Sequence, residues 1–321
     1  MCSIGQSYNQ PIFPPNATWN QTATTFAYQS QIGRDPIGLY IDTNNSIYTT
    51  HRQNGQILIW MNNSNDPNLI LYTQLSEASR SIFVTTNGDM YVGNDSSAKQ
   101  IIKSNSNSYS NQTISIATVS SSFVIFGIFI DLNNTLYCSI QGQHKVVKKW
   151  LNSNSSTMIP VAGNGSSGSA SNMLNKPYGI FVDTNFDLYV ADAVNNRIQL
   201  FRLGQTNGIT VAGNGSLNTT ITLNSPTHVI LDGNKYLFIA NSDSDQIIGS
   251  DENGFRCIVG CSGGGSGSNK LKVPRSIAFD SFGNLFVVDR DNDRIQKFCL
   301  STNFCNNKRK KTTIRYVHLI I

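Results

Sequence analysis

Charge is scarce in this chain of 321 residues, with Asp, Glu, Lys and Arg making up 13% of it. Histidine is scarcer, at four copies, and tryptophan has three. What charge exists is unevenly placed, because Lys308, Arg309, Lys310, Lys311 and Arg315 all fall after Asn307, with no acid among them. Without those five the bases equal the 19 acids, so the formal net charge of +5 belongs to the tail. A neutral body argues against nucleic acid as a partner, since that function calls for a basic face. Long apolar runs are missing too. The longest, Phe123–Ile130, has eight residues where a membrane-crossing helix needs about 20, so no membrane span is expected and the run reads as a strand. The first residues, Met1-Cys2-Ser3-Ile4-Gly5-Gln6, lack the basic and apolar parts of a signal peptide, leaving either a cytosolic protein or one whose beginning is missing. Helical periodicity is absent throughout.

Strand formers are abundant, and 39% of the residues are apolar, enough for a large core. Asparagine is in excess. Of 38 copies, eleven open an Asn-x-Ser/Thr acceptor: Asn16, Asn20, Asn44, Asn62, Asn94, Asn111, Asn133, Asn154, Asn164, Asn214 and Asn218. Chance alone gives about seven, so glycosylation is suggested without being demanded. The six cysteines hold no zinc-finger spacing. Cys257 and Cys261 flank Gly260, and Cys299 and Cys305 lie six apart. Both couples are candidates for local disulfides, with Cys2 a competitor for Cys299 or Cys305 and free buried thiols the alternative. An extended strand would hold Cys257 and Cys261 about 13 Å apart, so a bridge needs a turn at Gly260. Cys138 reads as a buried thiol inside a strand.

Repetition is the most informative feature. Short apolar runs end at Asp42, Thr85, Asp131, Asp183, Asp232 and Asp280, a nearly even spacing. Six units at the pitch of about 40–50 residues point to a propeller, in which each four-stranded sheet needs neighbours to cover both faces. The fourth unit shows the four strands in order: Gly179–Asp183, Leu188–Ala191, Arg197–Arg202 and Gly208–Ala212. The sixth stops after its third strand at Phe298, whereas Trp19–Ala27 looks like a fourth strand. The expected fold is therefore all-β, a six-bladed β-propeller of four-stranded antiparallel blades whose last blade is completed by the N-terminal strand, which leaves no open sheet edge at the seam. The expected organisation is a lead segment 1–18, the propeller 19–305 and a basic, then apolar tail 306–321 without fixed structure.

Two segments, Leu188-Tyr-Val-Ala-Asp-Ala-Val-Asn-Asn-Arg-Ile-Gln-Leu-Phe201 and Leu285-Phe-Val-Val-Asp-Arg-Asp-Asn-Asp-Arg-Ile-Gln-Lys-Phe298, resemble the NHL repeat. The other units depart from it, with His51, Asn94, Ile140 and Asn241 at the Asp position and Gln56, Gln100, Lys145 and Gln246 at the Arg position. The resemblance implies a six-bladed NHL propeller. From the residues themselves, Asp192 with Arg197 and Asp289 with Arg294 are expected to form structural ion pairs across the loop between second and third strands.

Chemistry is hard to find. His51, His144, His228 and His318 occupy four different repeat positions, so no metal site, no cofactor and no catalytic residue is expected. No nucleophile elbow is present. Gly163–Gly168 and Gly263–Gly267 resemble phosphate loops only superficially, lacking the Lys and the following helix, and read as flexible connections between blades. The residues opening the first strands, Ile37, Arg80, Phe126, Tyr178, Thr227 and Arg275, would ring one mouth of the central channel. Aromatics and arginines suit a binding face. The blander alternative packs Ile37 and Phe126 and leaves the arginines in solvent. The expected function is a noncatalytic, monomeric module, extracellular or at the cell surface, that binds a protein or small ligand at this mouth. The alternatives are a zinc-dependent lyase of the peptide-amidating type, which the NHL resemblance also brings in, and a cytoplasmic NHL scaffold binding RNA or protein.

Overall fold

An aspartate turns the chain at the end of nearly every innermost strand. One carboxylate oxygen of Asp42, Asp131, Asp183, Asp232 and Asp280 accepts from the backbone N–H groups two and four positions on, at 2.7–3.0 Å. That bond stands in for a backbone turn bond and stops the strand. Thr85 takes the place of the aspartate in the second unit, its hydroxyl donating to the Asp89 carbonyl at 3.1 Å. The third residue after each of these six positions is left-handed: Asn45, Gly88, Asn134, Phe186, Lys235 and Gly283. The apolar runs seen in the sequence therefore end in Asp because the turn is built on its side chain.

The computed structural model describes residues 6–61, 64, 66–72, 79–94, 100–105, 114–118, 124–153, 157–216 and 221–302. It is an all-β propeller of four-stranded antiparallel blades, with six such sheets among the described residues. From the axis outward, blade one is Leu39–Ile41, Ile47–His51, Gln56–Trp60 and Leu69–Tyr72. Blade two is Ser79–Val84, Asp89–Asn94, Gln100–Asn105 and Ile114–Thr118, and blade three is Ile125–Ile130, Thr135–Ile140, Lys145–Trp150 and Ile159–Ala162. Blade four is Pro177–Val182, Leu188–Asp192, Arg197–Phe201 and Ile209–Gly213, and blade five is Pro226–Leu231, Leu237–Asn241, Gln246–Asp251 and Gly254–Val259. Blade six is Pro274–Phe279, Leu285–Asp289 and Arg294–Phe298, and its outermost strand is Thr24–Ala27. Each innermost strand touches the next in chain order, and Pro274–Phe279 touches Leu39–Ile41, so the ring closes.

Closure joins the two ends of the array. Thr24 pairs with Lys297, Thr25 with Gln296 and Ala27 with Ile295. Trp19 bridges to Leu300 and donates its indole N–H to the Gly283 carbonyl at 2.9 Å. Gln29–Ile32 is one helical turn, a departure from the strand-only reading. It survives because the Tyr28 N–H donates to the Gln31 side chain at 3.1 Å and Ile32 is fully buried, and so short a turn cannot show a periodic pattern. Short 3-10 turns also follow the second strands of blades three to six.

Blade-to-blade bonds on one face explain a strained position. The residues before Pro36, Pro177, Pro226 and Pro274, in blades one, four, five and six, are left-handed: Asp35, Lys176, Ser225 and Val273. Each donates its N–H to the side chain that ends the 3-10 turn of the preceding blade: Asp293 at 2.9 Å, His144 at 3.1 Å, Asn196 at 2.8 Å and Asp245 at 2.7 Å. A β-branched residue at φ 51° is an outlier. Val273→Asn is accordingly expected to raise the free energy of unfolding by about 1 kcal/mol, as read by urea denaturation, and a decrease would show that Val273 packing outweighs its backbone strain.

Cys257 and Cys261 form a disulfide with Cα atoms 5.8 Å apart. Gly260, at φ 78°, makes the turn that brings them together. Cys138 is a free, buried thiol, and burial pushes its pKa up. Cys299 is disulfide-bonded, whereas Cys2, Cys305 and the tail 306–321 lie outside the described residues.

Candidate binding site at the channel mouth

The innermost strands do not begin in regular register. In blades two to six the pairing shifts between Ser79 and Ser81, Ile125 and Gly127, Pro177 and Ile180, Pro226 and His228, and Pro274 and Ile277. Arg80, Phe126, Tyr178, Thr227 and Arg275 lie within those irregularities. A bulged residue leaves the ladder and its side chain is re-aimed. Ile37 precedes the first strand of blade one, and all six side chains line a single opening with about 440 Å³ of empty space.

The arginines are not free surface chains. The Arg80 guanidinium lies 4.8 Å from the centre of the Phe126 ring, and that of Arg275 lies 5.5 Å from the Tyr178 ring. The two rings meet at 4.2 Å, tilted by 43°. The four form a continuous arc in which each cation faces a π-cloud. Arg275 reaches Tyr178 past the small Thr227, whose hydroxyl donates to the Pro274 carbonyl at 3.0 Å. Close approach of neighbouring blades needs small residues here. A Cβ on Gly127 would sit 2.7 Å from the Tyr178 carbonyl oxygen, and one on Gly179 would sit 2.8 Å from that of Thr227.

Below the mouth the channel continues into a mostly apolar throat. Leu39, Ile82, Ile128, Ile180 and His228 line both mouth and throat. Burial pushes the His228 imidazole down to about 4, so it is neutral at physiological pH, its Nδ1 accepting from the Ile277 N–H at 3.4 Å. At its other end the throat is lined by Tyr8 and Asn9, which belong to a strap formed by residues 6–13. Tyr8 packs edge-on against Phe83, Phe129 and Phe181, its ring 5.3–6.4 Å from theirs. Asn9 donates to the carbonyls of Asp42 and Phe279, and Gly233 donates to Pro11. This strap has no counterpart in the repeat, and the sequence carries no signal for it. Sequence reasoning also misses Ser81 and His228 at the mouth, although the position after each ring residue is occupied by Gly38, Ser81, Gly127, Gly179, His228 and Ser276. Aligning that column shows five small residues and one histidine.

Around the rim, the Asp–Arg pairs hold the Gly-rich loops. Arg197 Nε donates to Asp192 at 2.7 Å, while its other nitrogens donate to the carbonyls of Ser169, Ala170 and Met173. Asp192 also accepts from the Asn175 N–H at 2.6 Å and the Asn195 amide at 2.8 Å. Burial raises the Asp192 carboxyl above its usual range, and these donors oppose the rise. Blade six repeats the pattern: Arg294 binds Asp289 at 2.7 Å and the carbonyls of Ser266, Gly267 and Lys270. The loops Gly163–Gly168 and Gly263–Gly267 are thus not loose connections. Within each, Gly168 and Gly265 present carbonyls to Asn195 and Asn292, and glycine allows those exposed turns to bend toward the donors.

His51, His144 and His228 stay in separate blades, and His318 lies outside the described residues. Among the described residues no three His, Cys, Asp or Glu side chains are grouped to hold a metal ion. No described helix is long and apolar enough to cross a membrane.

No protein-family model matches the chain, and no curated protein matches it. Solved structures do. A Bacteroides thetaiotaomicron protein of unknown function superposes with a TM-score of 0.67 at 13% identity over 87% of this chain and 75% of that one. An auxiliary nutrient binding protein from the same organism gives 0.63 at 14% identity over 91% and 75%. A catalytically inactive virginiamycin B lyase from Staphylococcus aureus, solved with quinupristin, gives 0.60 at 12% identity over 87% and 99%. At these identities the likeness is one of fold.

Proposed function

We propose that this chain is a noncatalytic NHL-type propeller that works outside the cytosol as a binding module, engaging a protein or small ligand through the mouth ringed by Ile37, Arg80, Phe126, Tyr178, Thr227 and Arg275. One observation carries the reading: six residues far apart in sequence, one per blade, share one opening, and four of them form the Arg80–Phe126–Tyr178–Arg275 arc. Half-buried arginine and aromatic side chains in a concave setting are the usual anchors of binding. The nutrient binding proteins among the structural neighbours support a ligand-binding role. The Cys257–Cys261 disulfide supports an oxidising compartment. So does the exposure of the acceptor asparagines Asn16, Asn20, Asn44, Asn133, Asn164 and Asn214.

The test is a partner captured on the immobilised protein and then titrated against variants. Tyr178→Ala and Arg275→Ala are each expected to weaken binding by about 1–2 kcal/mol with the melting temperature nearly unchanged. Equal losses of stability and affinity would reduce both side chains to packing. Turnover that vanishes with a chelator would replace the module by an enzyme.

A further inference from the structure

The lining of the mouth is one-sided in its polarity. Among the described residues it includes two arginines, two serines and a histidine, and neither Asp nor Glu. Two of its donors have nothing to donate to: Arg275 Nε and Ser81 Oγ are buried without a hydrogen-bond partner. Buried donors left unmade are costly, and at the lining of an opening a ligand can supply the acceptors they lack. Burial also pulls the Arg275 guanidinium below its usual range and Arg290 adds to the fall, while the Tyr178 side chain, its hydrogen-bond partner, and Asp243 oppose it. Asp243, the acid that acts on it, is exposed. Beneath these donors the walls change character, and Leu39, Ile82, Ile128, Ile180 and Ile277 offer only hydrocarbon.

We propose that the mouth takes a small amphipathic organic anion, its oxyanion held by Arg80, Arg275 and Ser81 and its apolar body lowered into the throat. The proposal rests on the mouth being the binding face and names the ligand class that this face would accept. A carboxylate or similar oxyanion supplies acceptors for the unpaired Arg275 Nε and Ser81 hydroxyl, and guanidinium groups match that planar geometry. The aromatic pair between the arginines holds their guanidinium groups over its rings, and the Tyr178 side chain, which also hydrogen-bonds Arg275, brings no carboxylate to the mouth. An apolar tail displaces water from a throat that offers little hydrogen bonding in return.

Calorimetric titration of the whole chain with octanoate, 1-octanol and inorganic phosphate separates the possibilities. Octanoate is expected to bind at least tenfold more tightly than either of the others. Arg275→Gln and Ser81→Ala should each weaken octanoate about tenfold and leave 1-octanol unaffected, with unchanged melting temperatures. Equal binding of octanoate and 1-octanol, weakened in both cases by Tyr178→Ala, would overturn the anion assignment and keep the mouth as the binding face. Phosphate as tight as octanoate would remove the throat from the proposal. Octanoate binding indifferent to Arg275→Gln, Ser81→Ala and Tyr178→Ala would overturn both readings, and no octanoate binding at all would overturn the anion assignment.

Discussion

A chain lacking residues 1–27 will not fold cooperatively. The deletion removes the outermost strand of blade six and with it the bonds to Arg294–Phe298. It also removes Trp19 and Phe13, both buried against Phe238 and Phe279, and Phe26, which packs 5.4 Å from both Trp60 and Phe286. Truncating one buried aromatic to alanine costs about 3–5 kcal/mol. Phe13 and Trp19, with the half-buried Phe26, together approach the whole stability of a typical domain, about 5–15 kcal/mol. Thermal melting followed by circular dichroism is the measurement, with Trp19→Ala as a milder companion expected to lose about 3–5 kcal/mol. A truncated protein that still melts sharply within a few degrees of the intact one would show that the seam contributes little.

Arg197→Ala will be nearly as damaging for a different reason. Its guanidinium meets the Asp192 carboxylate, fully buried at 0% exposure, and three loop carbonyls. Removing one partner of a buried pair leaves the other charged and unmatched, which costs about 3–5 kcal/mol. The same change frees the carbonyls of Ser169, Ala170 and Met173, so rapid protease cleavage between residues 163 and 175 is expected alongside the lower urea midpoint. Replacing Asp192 by Asn as well should recover part of the loss. A loss below about 1 kcal/mol with the loop still resistant would assign loop order to its glycines and Asx turns alone. Arg294→Ala should repeat the result at the loop 260–273, and because the two sites share no partners their costs should add.

How much of this is legible in the sequence differs from element to element. The repeat ends are legible because each marks a turn that needs a specific side chain, Asp or Thr. The ring from Ile37 to Arg275 can be picked out by alignment alone, since position along a repeated strand decides which end of the channel a residue reaches. Its internal geometry cannot, because Arg275 contacts Tyr178 two blades away, and no repeat pattern encodes a contact that skips a blade. Composition alone makes the glycine-rich loop near Gly165 read as loose, whereas its order comes from Arg197, well downstream in sequence and adjacent in space. The strap is invisible for a third reason. Ser7, Tyr8, Asn9 and Gln10 bind through individual hydrogen bonds and one cluster of ring contacts, with no periodicity to betray them.

Among the described residues Tyr8 lies across the axis opposite the mouth, against Phe83, Phe129 and Phe181, which makes the axis a well where an unobstructed one would be a pipe. A solute that enters past Arg80 and Arg275 must leave by the same doorway, so arrival and departure share one bottleneck. Substitutions at the rim should then alter the association and dissociation rates together, and a bulkier rim could slow exchange without changing how tightly the occupant sits. Replacing Tyr8 by a small residue would open a second exit, detectable as faster release of an occupant whose contacts at the rim are untouched.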